Sequence, residues 1–79
     1  MKLFKKLRTH TIIVSFKDQQ SQVILGRLRF SPIQELPALP TPLEIIEINQ
    51  KRYIVEYIEN IYHHNQLTEE YRYTVAEVH

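Results

Sequence analysis

The chain has no cysteine and a single glycine. The first absence removes the disulfide framework on which small secreted scaffolds rely, together with the thiolate ligands of structural zinc sites, and it points to the cytoplasm. The second excludes the glycine-rich loops that cradle phosphate. Apolar runs are short, as at Ile12 to Val14 and Tyr53 to Val55, far below the ~20 residues that span a bilayer. No membrane span is expected, and the opening segment holds lysines but no apolar stretch of signal-peptide length.

What remains is a chain of 79 residues, room for one domain over 1–79 with a modest core. A domain near this size buries only roughly 60% of the surface its unfolded chain exposes. The net charge of +1 hides an asymmetry. Residues 1–30 carry seven Lys and Arg against Asp18 alone, a net +6, whereas residues 31–79 carry three against eight Glu, a net −5. Basic strands beside acidic ones would gain modest cross-strand stabilisation, and the same split could drive association between molecules.

Thr11 to Phe30 reads as a hairpin, two runs rich in Ile, Val, Leu and Phe around the polar turn Asp18-Gln19-Gln20-Ser21. With Asp18 opposite Ser21, Phe16 meets Val23 and Val14 meets Leu25, placing Ile12, Val14, Phe16, Val23 and Leu25 on a core face. Ile13, Ile24, Leu28 and Phe30 then fall on the other face, with Gly26 near Ile13 as a candidate bend. Apolar content on both sides argues for a sheet curled on itself. All four prolines lie in 31–42, which reads as a stiff connector or, in a second reading, a polyproline-type ligand. Residues 1–9 read as a basic N-terminal segment in which Leu3, Phe4 and Leu7 could share one side of two helical turns.

Residues 43–78 admit two readings. Thr41-Pro42-Leu43-Glu44 fits a helix-capping box, and Tyr53, Ile54, Tyr57, Ile58, Ile61 and Tyr62 recur at helical spacing. That route gives an α+β fold with a helix within 42–64. Yet seven of the ten residues from Tyr53 to Tyr62 are Tyr, Ile or Val, which lose side-chain freedom in a helix and suit a pleated surface. Tyr71 to Val75 is a further strand pattern in need of a partner. We therefore expect an all-β protein: a five-stranded antiparallel meander, closed or half-closed into a small barrel, with Ile48 opposite Tyr53 and Ile46 opposite Val55.

No catalytic residue, metal site or cofactor is expected. His63 and His64 are adjacent, so on a strand they point to opposite faces, and no His-x-x-x-His spacing exists. Ser15, Ser21 and Ser31 lack a nucleophile-elbow context. The neighbouring carboxylates Glu69 and Glu70 read as a solvated strand face, since nothing near them suggests a desolvated pocket. A small-molecule substrate is not expected either.

Two functions compete. The first is a non-enzymatic protein-binding or accessory domain, with a second copy of the chain as one candidate partner, using Tyr57, Tyr62, Tyr71 and Tyr73 as interface residues. The alternative is a small nucleic-acid-binding β-barrel that contacts phosphate through Lys2, Lys5, Lys6, Arg8, Arg27 and Arg29. Against it stands a sequence pI of about 8.1, below that of a dedicated polyanion binder.

Overall fold

A computed structural model describes residues 9–79. Five strands form one sheet: β1 (Thr11–Asp18), β2 (Ile24–Phe30), β3 (Ile45–Ile48), β4 (Lys51–His63) and β5 (Thr68–Glu77), with a single 3-10 turn, His64–Gln66, between β4 and β5. The described residues contain no α-helix, and so none long and apolar enough to cross a membrane. The β-branched and aromatic density of 53–62 decides the ambiguous stretch in favour of strand. The capping-box residues still make their bonds: Glu44 N–H donates to Thr41 O at 3.1 Å and Thr41 N–H to Glu44 Oε1 at 3.0 Å. They close a turn leading into β3 instead of starting a helix.

Strand order is β2-β1-β5-β4-β3. The hairpin pairs β1/β2, β3/β4 and β4/β5 are antiparallel, but β1 and β5 run parallel, in register from Thr11↔Thr68 to Asp18↔Val75. The sheet is thus mixed, which corrects the expectation of a purely antiparallel one. The reason is parity. In an up-and-down chain of five strands the first and last share a direction, so a meander that curls until β1 meets β5 must close on a parallel pair. The sheet is nearly closed into a barrel, and the edges left over are β2 and β3.

Registers depart from expectation in an instructive way. In β1/β2, Val14 pairs with Leu28 and Phe16 with Gly26, three residues beyond the expected offset. The turn is longer than four residues: Asp18 N–H donates to Val23 O, Gln22 has φ 65°, and a bulge follows at Phe16/Lys17. An odd shift turns β2 over. Leu28 and Phe30 therefore point inward, Arg27 and Arg29 outward, and Val23 lies exposed in the turn. In β3/β4 the shift is two residues, Ile46 pairing with Tyr53 and Ile48 with Lys51. An even shift preserves the faces. The connecting pair Asn49-Gln50 has φ 52° and 67°, the signature of a type I′ turn whose twist matches the strands it joins.

The core is Ile12, Val14, Tyr53, Val55, Tyr73 and Val75, contributed by β1, β4 and β5. The proline connector is part of the fold. Leu36 and Leu39 pack against this core, and the Tyr73 hydroxyl donates to Pro40 O at 3.0 Å. β3 pairs only with residues 51–54, so it leaves the second half of β4 without a neighbour on that side among the described residues.

Candidate functional site

The sheet has an outer and an inner face, and polar residues are organised differently on each. On the outer face of the central strands, Glu70 is 4% exposed and Ser15 fully buried. Ser15 Oγ–H donates to Glu70 Oε2 at 2.6 Å, Arg72 Nε–H donates to the same oxygen at 3.1 Å, and His63 Nε2 lies 3.3 Å from Glu70 Oε1. Burial pushes the Glu70 carboxyl up, but the bonds from Ser15, Arg72 and His63 and the Arg72 charge together hold it below the ordinary glutamate value. The group is an ionised structural anchor. The Ser15 hydroxyl is bonded directly to the carboxylate, and His63 contacts Glu70 and not Ser15.

Glu69, one residue earlier, points to the inner face at the barrel end. His10 Nε2 lies 2.8 Å from its Oε1, and Asn60 Nδ2–H donates to Oε2 at 2.9 Å. The His10 bond above all, opposed by partial burial and helped by Asn60, Tyr71 and the His10 charge, lowers its pKa. Tyr62 stands edge-on between two imidazoles, 5.5 Å from His10 and 4.5 Å from His64. Glu69 and Glu70 thus serve opposite faces and each has a histidine, which corrects the reading of the pair as one solvated face. No three His, Asp or Glu side chains converge into a metal-holding group among the described residues.

The third feature is a cleft. A cavity of about 350 Å³ opens between β2 and β3, bounded by Leu25 to Leu28 on one side, Ile46 to Asn49 on the other, and Phe16 and Pro40. Leu28 pairs with core residue Val14 and points to the barrel interior, yet it is 51% exposed. An inward-facing leucine is wet because, among the described residues, no strand stands between the two edges. A Cβ on Gly26 would meet nothing within 4 Å, so the space continues over that residue. No protein-family model, curated protein or solved structure matches this chain. The geometry alone carries the functional argument.

Of the residues singled out from sequence, Lys2, Lys5, Lys6 and Arg8 lie outside the described residues. Arg27 and Arg29 are exposed on the outer face beside Lys17, and none of the three makes an ion pair among the described residues. Tyr57 is exposed on the same face, and Tyr62 is exposed at the barrel end. Tyr71 is half-buried, and Tyr73 is a core side chain, 2% exposed, that offers no surface to a partner. The four tyrosines are therefore not one patch. The cleft was missed because it depends on which edges stay apart; the long proline connector between β2 and β3 was the one signal of it.

Proposed function

We propose that this chain is a non-enzymatic, cytoplasmic protein-binding module that receives an extended segment of a partner in the cleft between β2 and β3. The observation that carries this reading is Leu28, directed into the barrel and half exposed. A segment laid there would cover it together with Ile46 and Ile48. Each edge strand presents every second N–H and C=O away from its ladder, a template for one more strand. Pairing with a second copy through β2 is disfavoured, because a two-fold antiparallel contact centred on Leu28 would set Arg27 of each copy against Arg29 of the other. A nucleic-acid interface has weaker support: Glu59 and Glu70 alternate with the cations on the outer face, and no continuous basic stripe results among the described residues.

The test uses Gly26→Leu, which fills the cleft from a position with room for a side chain. Short peptides are selected from a displayed library against the native protein and then titrated against both forms by NMR, after circular dichroism has confirmed the variant's fold. Binders that shift the amides of β2 and β3 and lose at least about tenfold in affinity for Gly26→Leu are the expected result. Failure to select binders, or binders indifferent to the substitution, would overturn the reading. So would a dimer of the native chain that Gly26→Leu dissolves, since the occupant would then be a second copy.

A further inference from the structure

The two walls of the cleft carry opposite charge, and this specifies the segment it fits. On the β2 side, Arg27 and Arg29 project outward at alternate positions with Leu28 inward between them. On the β3 side, Glu47 projects outward between Ile46 and Ile48, which share the inner face with Tyr53. β2 is the longer edge, seven residues against four, and offers the larger ladder.

Resting on the cleft reading above, we infer that the occupant is a strand running antiparallel to β2 whose residues alternate acidic, apolar, acidic. Its apolar side chain enters the cavity against Leu28 and Ile46, and its two carboxylates stand opposite Arg27 and Arg29. Antiparallel pairing puts directly opposed side chains on one face about 4.5–5.5 Å apart, close enough for each Arg–carboxylate pair to form. The cations are available: neither is paired with an acid among the described residues. Glu47 stands on the same outer face of the shorter wall, so the charge pairing is made with the longer β2 edge.

The probes are three capped heptapeptides, Thr-Val-Glu-Val-Glu-Val-Thr and its versions with both Glu replaced by Gln or by Lys, titrated by fluorescence anisotropy at low salt. The Glu peptide is expected to bind about tenfold more tightly than the Gln peptide, about threefold for each cross-strand charge pair, and the Lys peptide more weakly still. In Arg27→Glu/Arg29→Glu the order is expected to invert, with Lys above Glu. Equal binding of the Glu and Gln peptides overturns the charge specification and leaves the cleft reading standing. No binding by any of the three overturns both. Salt-sensitive binding of oligouridine, lost in the charge-reversed variant while the Glu peptide fails to bind, overturns the inference in favour of nucleic acid.

Discussion

Replacing Glu70 by Leu tests whether the buried carboxylate holds the outer face of the barrel. The substitution removes a charge-assisted bond to Ser15, worth about 1.5–3 kcal/mol, and strands a buried hydroxyl at a cost of about 1–3 kcal/mol. Relief of the carboxylate's own desolvation offsets part of this. Arg72 and His63, with side chains 29% and 39% exposed, can turn to water, so their loss adds little. The net expectation is about 2–3 kcal/mol of destabilisation, against a total of about 4–12 kcal/mol for a chain of this length. Urea unfolding followed by circular dichroism, with an unchanged slope, measures it. The double variant Ser15→Ala/Glu70→Leu removes the stranded hydroxyl and should recover about 1 kcal/mol or more. The pH dependence has a fixed sign. The folded pKa of Glu70 lies below the ordinary 4.5, so its contribution is complete above that value and is lost as pH falls through the lowered one. Glu69 shifts in the same direction, so Glu70→Leu should flatten the acid limb of the stability curve without abolishing its slope. A variant within about 0.5 kcal/mol of the parent at neutral pH, with an unchanged acid limb, would refute the assignment.

Other residues make sharper local predictions. Gln50 occupies the second position of a type I′ turn at φ 67°, so Gln50→Gly should stabilise the chain by about 0.5–1 kcal/mol in the same urea assay. Tyr73→Phe removes the bond to Pro40 O and should cost about 1 kcal/mol, with the largest chemical-shift changes along the connector. Thr74 Oγ1 is buried without a hydrogen-bond partner, so Thr74→Val, of nearly equal shape, should raise the melting temperature by a few degrees.

Much of the fold was legible because it is local. The Ile-rich run at 45–48, the Tyr and Ile density of 53–62 and the pattern at 71–75 state their strand preference in residues that suit nothing else as well. Registers were less legible, since a bulge at Phe16/Lys17 depends on the twist of the assembled sheet, not on the turn sequence. That single feature moved Leu28 from the expected outer face to the cleft, which is why the site escaped notice. The burial of Glu70 was hidden too: its partner Ser15 lies 55 positions away, across the parallel pair that only closure of the sheet creates.

The central claim is that the sheet closes through β1 and β5 and stays open between β2 and β3. Residue-resolved amide hydrogen exchange measures this most directly, because protection follows the ladder bonds each amide makes. The expected result is strong protection through β1, β5 and the half of β4 that is paired on both sides, with fast exchange at alternate amides of β2 and β3 that slows when a peptide binds. Uniform protection along β2 and β3 in the free protein would mean that the seam is already filled, and would contradict the account.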